Sequence, residues 1–75
     1  YASAHVIRGN AYQALRDYDR ALAEYNASIR IAPDYLGYYN RGLTHHDKGN
    51  YAQAIADFDA TLRLKPGYVL SLIHI

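Results

Sequence analysis

The sequence predicts an all-α chain built from tandem antiparallel helix-turn-helix repeats. Gly9, Tyr18, Ala21, Tyr25 and Pro33 return 33 residues later as Gly42, Tyr51, Ala54, Phe58 and Pro66, and self-similarity at such a period marks units that are each a pair of helices. Large apolar residues then recur three and four apart, which places them on one helical stripe. A proline closes each unit and disfavours helical backbone in the residue before it.

The elements follow in order. A first helix is expected near 3–15, with Gly9 inside it; glycine there costs about 1 kcal/mol relative to alanine, and its return as Gly42 implies close helix contact. The second, near 19–31, starts after Asp17, whose side chain can cap free amides, and carries the stripe Leu22, Tyr25, Ile29 beside the small pair Ala21 and Ser28. It ends at Ala32 before Pro33. The third, near 36–48, repeats the first. The fourth, near 52–64, is capped by Asn50 with Gln53 in a capping box, carries Ile55, Phe58 and Leu62 beside Ala54 and Thr61, and ends at Lys65 before Pro66.

Identities concentrate in the second half of each unit, at Ala21/Ala54, Ala23/Ala56, Ala27/Ala60 and Arg30/Arg63. That half is the expected structural helix, and the freer first half the one that meets partners. Units span 2–34 and 35–67, with 68–75 the truncated start of a third.

Composition narrows the function classes. A chain of 75 residues buries only about 60% of its unfolded surface, and without cysteine it has no disulfide or thiolate metal site to compensate. Eight Lys plus Arg against seven Asp plus Glu leave no basic stripe for nucleic acid. No apolar run approaches the roughly 18 residues of a membrane span. The compartment stays open, with the cytoplasm as the default. The chain opens on Tyr1 and has no methionine, so it reads as an internal piece of a longer protein.

Arg8, Gly9, Tyr12, Ala21, Tyr25, Ser28 and Pro33, and then Tyr38, Arg41, Gly42, Ala54, Phe58, Thr61 and Pro66, together resemble the tetratricopeptide repeat. The resemblance runs from Ser3 to Pro66. His5 stands for the opening aromatic, His45 for the tyrosine after the glycine, and Arg8 and Arg41 for a usual leucine. The resemblance implies a right-handed α-solenoid whose first helices line a concave groove for an extended or helical peptide. By position the groove comprises Ser3, Val6, Ile7, Asn10, Gln13 and Ala14, then Leu36, Tyr39, Asn40, Leu43, His46 and Asp47. The implied binding residues are Val6, Asn10, Gln13, Leu36, Tyr39, Asn40, Leu43, His46 and Asp47.

One subset of the family grips a C-terminal carboxylate through lysines, an arginine and asparagines. Asn10 and Asn40 stand at the asparagine positions but Val6 replaces the first lysine, so ordinary groove amides are the expectation. Arg8 faces Glu24 and Arg41 faces Asp57 at equivalent places; since a guanidinium and a carboxylate can pair bidentately, this predicts a repeated arginine to carboxylate bridge joining the two helices of each hairpin. Tyr12, Tyr18, Tyr25 and Tyr51 are explained by packing. Tyr39 and Tyr35 are left over for a partner.

No catalytic, cofactor or metal site is expected. His45, His46 and Asp47 are adjacent, and helix neighbours do not face one another; the chain lacks the i, i+4 histidine pair that helical metal sites use. Asp57 and Asp59 diverge, and Ser3, Ser28 and Ser71 have no organised base. The run Leu70 to Ile75, LSLIHI, is also what the end of a sequencing-adapter transposon encodes, and it is expected to lie outside the native fold.

The expected function is a protein-protein interaction module, two repeats of a longer array. An excised pair is expected to be weakly stable or self-associating, since such arrays gain stability from neighbours. Two alternatives differ from it. The array could recruit substrates for a larger multidomain enzyme or signalling protein, or the helices could close into a four-helix assembly that buries Leu36, Tyr39 and Leu43.

Overall fold

Four helices follow one another in the computed structural model, which describes residues 1–65: α1 (Ala2–Ala14), α2 (Tyr18–Ile31), α3 (Tyr35–Lys48) and α4 (Tyr51–Leu64). Pro66, the start of the third unit and the tail at 70–75 lie outside the described residues.

Local chemistry explains most boundaries. Asp17 accepts from the Arg20 amide at 3.4 Å and Asp34 from the Tyr35 amide at 2.7 Å, each supplying an acceptor to a helix start that has none of its own. Ala32, before Pro33, is extended at φ −149° and ψ 102°, and Lys65, before Pro66, leaves the helical region at φ −147° and ψ 83°. The expected cap at Asn50 does not form. The turn folds this residue back over α3, where its backbone N–H bonds the His45 carbonyl and its Nδ2 lies 3.5 Å from His45 Nδ1; the side chain is thus directed at α3 by its nitrogen, and its oxygen caps no amide of α4.

The two hairpin turns are the same structure repeated. Arg16 and Asp17 donate to the carbonyls of Gln13 and Tyr12, and Gly49 and Asn50 donate to those of His46 and His45. This paired pattern closes a helix through one left-handed residue. In the second turn that residue is Gly49 at φ 88°; in the first it is Arg16 at φ 61°, where a side chain crowds the backbone.

Within each hairpin the helices meet at a glycine. A Cβ on Gly9 would lie 2.6 Å from the Tyr25 ring, and one on Gly42 would lie 2.8 Å from the Phe58 ring. Around these contacts Ala21, Tyr25 and Ala54 form the apolar core, with Ser28, Thr44, Asp57 and Thr61 buried beside them. Thr44 and Thr61 donate to the Asn40 and Asp57 carbonyls, one turn back, so burial strands no hydroxyl.

The hairpins stack through α2 and α3, with a lighter contact between α1 and α3, and α4 touches only α3 among the described helices. A closed bundle would bring α1 onto α4, and it does not occur here. The expected packing of Tyr51 also fails: it is 60% exposed, as are Ile55 at 61% and Leu62 at 37%. Their α2 counterparts Tyr18, Leu22 and Ile29 are half-buried because α3 lies against that helix.

Left-handed backbone costs a non-glycine residue about 1 to 2 kcal/mol. Arg16→Gly should therefore raise the unfolding free energy by roughly 1 kcal/mol in urea titration. Ala21→Leu or Ala54→Leu should lower it by about 1 to 3 kcal/mol, because neither site has room for the added methylenes.

Candidate functional site

The parallel leading helices α1 and α3 form a wall with two different ends. Toward their N-termini, Ser3, Val6, Ile7 and Leu36 line a mainly apolar pocket of about 220 Å³, to which Ser28 and Asp34 also contribute. Ile7 is 68% exposed and Leu36 36%. Toward the C-termini the surface turns polar, where Asn10, Gln13 and Ala14 meet Arg16, Tyr18 and Asp47.

Tyr25 sets the polar end from below. Its hydroxyl reaches Asn10 Oδ1 at 2.5 Å and Gln13 Oε1 at 2.9 Å. Burial pushes that hydroxyl up to about 12, so it stays a protonated donor. Both amide oxygens turn inward and share the one hydroxyl proton, which leaves the Asn10 and Gln13 nitrogens for the wall, and Gln13 Nε2 donates across to Asp47 Oδ2 at 3.4 Å. This link ties α1 to α3.

The remaining expected residues are more occupied than their spacing implied. Tyr39 is half-buried with its ring 6.0 Å from Phe58. Asn40 spends its amide on the Leu36 carbonyl at 2.9 Å. Leu43 is half-buried, whereas His46 is exposed and meets the Tyr51 ring edge-on at 5.3 Å. Val6 and Leu36 thus share the apolar pocket, Asn10, Gln13 and Asp47 share the polar end, and Tyr39, Asn40, Leu43 and His46 belong to neither pocket.

Tyr25, Arg16 and Tyr18 were not expected at the wall. The signal for Tyr25 was in the comparison of units: it becomes Phe58 where Asn10 becomes Leu43 and Gln13 becomes His46. A hydroxyl and its two amide partners disappear together. Arg16 shows as the residue standing where the other unit has Gly49.

An arginine bridge joins the helices of both hairpins, but it is two-pointed only in the second. Arg8 Nε lies 2.7 Å from Glu24 Oε2, while Arg41 clamps Asp57 with Nε at 2.9 Å and Nη2 at 2.7 Å. Arg41 also sends Nη1 to Asn26 on α2 at 2.9 Å and lies over the Tyr38 ring. It therefore joins three helices. His5, in Tyr38's place, bonds Glu24 at 2.8 Å; this bond and the Arg8 charge hold the Glu24 carboxyl below its usual range.

Two stacked hairpins, each with a glycine under an aromatic ring, are the geometry that the family comparison then decides, since the tetratricopeptide repeat model matches residues 3–69. The chain belongs to the tetratricopeptide repeat family. Such repeats generally mediate protein-protein interaction. No curated protein and no solved structure matches the chain significantly. Among the described residues of this tetratricopeptide pair, no helix is long and apolar enough to cross a membrane, and no three His, Asp or Glu converge as a metal site would require.

His45 offers a pH test. Burial holds its imidazole below the ordinary histidine value of 6.5, with the Asp57 charge opposing and the Arg41 and Lys48 charges assisting. A depressed histidine binds its proton more readily in the unfolded chain, so the folded state is favoured above pH 6.5 and loses ground as pH falls below it. The melting temperature should drop between pH 7.5 and 5.5, about one unit either side of that value. His45→Tyr, which copies Tyr12 of the first unit, should flatten the drop.

Proposed function

We propose that this tetratricopeptide pair is a protein-binding module that holds a peptide segment along the wall formed by α1 and α3. The observation that carries the reading is the pocket of Val6, Ile7 and Leu36 lying on the same wall as the amides of Asn10 and Gln13. An apolar side chain seated between α1 and α3 would gain burial, and the outward amide nitrogens would take backbone carbonyls of an extended segment. Few convergent polar groups beside an apolar pocket is the usual composition of a recognition site. Because Tyr25 already fixes both amides, binding would spend little entropy on ordering them.

Peptides selected by display against the full chain supply the test, with affinity measured by fluorescence anisotropy. Leu36→Asp or Val6→Asp should weaken a selected peptide by about 10- to 100-fold, the value of one buried aliphatic side chain. Ala23→Asp, on the exposed face of α2, should leave it unchanged. Peptides indifferent to both pocket changes would show that the wall is not the binding surface.

A further inference from the structure

We infer that the polar end of the wall selects a side-chain amide, glutamine or asparagine, from the bound peptide, with its oxygen on Asn10 and its nitrogen on Asp47. This rests on the peptide lying along α1 and α3 as proposed, and it adds which residue the peptide carries there.

The hydrogen bonds within the chain decide what that end offers. Tyr25 draws Asn10 Oδ1 and Gln13 Oε1 inward, and Gln13 Nε2 spends one hydrogen on Asp47 Oδ2 at 3.4 Å. Asn10 is exposed and its Nδ2 has no acceptor among the described residues, so it turns two donor hydrogens toward an open pocket of about 650 Å³ that Gln13, Arg16, Tyr18 and Asp47 also line. Asp47 keeps 45% of its side chain exposed, and among the described residues its Oδ1 has no closer partner than His46 Nδ1 at 3.7 Å. Donors and an acceptor therefore stand in one pocket, with the Gln13 amide between them.

Charge separates the possible occupants. Asp47 and Arg16 line this pocket with opposite signs, and Arg16 has no ion-pair partner among the described residues. A carboxylate entering there would gain Arg16 but oppose Asp47, and an ammonium or guanidinium would gain Asp47 but oppose Arg16. A neutral group that both accepts and donates meets neither penalty. Among neutral side chains, asparagine and glutamine alone hold an acceptor oxygen and two donor hydrogens on one planar group. An aliphatic side chain would strip water from Asn10 and Asp47 and return no hydrogen bond. The second hydrogen of Asn10 Nδ2 still serves a backbone carbonyl of the same segment.

The site occurs once in the pair. Leu43, His46 and Phe58 stand one period after Asn10, Gln13 and Tyr25, so the second unit has neither the amides nor the hydroxyl that orients them. A single amide subsite fixes the register of the peptide. From Val6 to Gln13 the wall runs roughly 10 Å at 1.5 Å per helical residue, a distance that an extended segment covers in about three residues.

Peptides selected by display on the full chain, and weakened by Leu36→Asp, test this. They should carry glutamine or asparagine about three residues from the aliphatic anchor. Replacing that residue by glutamate, lysine or methionine should weaken binding about ten-fold in fluorescence anisotropy, the value of roughly one hydrogen bond. Asp47→Asn should return most of the loss to the glutamate peptide, and Arg16→Gln most of it to the lysine peptide. Tyr25→Phe, which copies Phe58, should narrow the advantage of glutamine over all three with helical circular dichroism unchanged. If peptides that need Leu36 prefer a charged or apolar residue at that position, this inference falls and the wall stands as the binding surface. A glutamine preference untouched by the Asp47, Arg16 and Tyr25 variants would also overturn it. Peptides indifferent to Leu36→Asp and Val6→Asp would overturn the inference and the wall together.

Discussion

A ring lying on a bare helix backbone is the contact on which the rest of this structure depends. Tyr25 covers Gly9 and Phe58 covers Gly42 closely enough that a single methyl group would have to displace the ring. Glycine weakens a helix by about 1 kcal/mol, yet it allows the two axes of each hairpin to approach until Ala21 and Ala54 are sealed. The arginine bridges stand one residue before each glycine, so the same approach brings Arg8 to Glu24 and Arg41 to Asp57. Burial on its own would make Asp57 costly. The two-point clamp from Arg41 offsets this.

The interface between hairpins is built differently from the interfaces within them. Inside a hairpin the apolar ring and the glycine dominate; between hairpins the apolar cover that α3 gives Leu22 and Ile29 is accompanied by distributed polar contacts, Arg41 on Asn26, Lys48 on Asp19 and Gln13 on Asp47. Polar contacts at the surface of a stack contribute little each. They do fix register, because each joins named partners. The wall that results has an aliphatic end and an amide end, and the change from one to the other follows from the units having diverged at Tyr25 and Phe58.

Much of the fold was legible from residues alone. The four expected helices are displaced from the observed ones by only about a residue at each start, within the usual uncertainty of a helix end, since proline, glycine and the three-four spacing act locally. Asn50 was misread because the residue to which its side chain turns, His45, lies across a turn. Tyr51 and Ile55 were misread because an apolar stripe reports what a helix can bury, and the burial itself depends on whether another helix is present. The groove was legible only as positions on leading helices. Spacing places Asn40 and Tyr39 on that face, but the Leu36 carbonyl and the Phe58 ring that engage them are set by the packed geometry.

Proton nuclear magnetic resonance reaches the central contact directly. If Tyr25 and Phe58 lie on Gly9 and Gly42, each glycine should show an α-proton moved upfield by the ring above it, with nuclear Overhauser cross-peaks from Gly9 to the Tyr25 ring and from Gly42 to the Phe58 ring. Glycine α-protons at ordinary helical positions, with no cross-peak to either ring, would contradict the account.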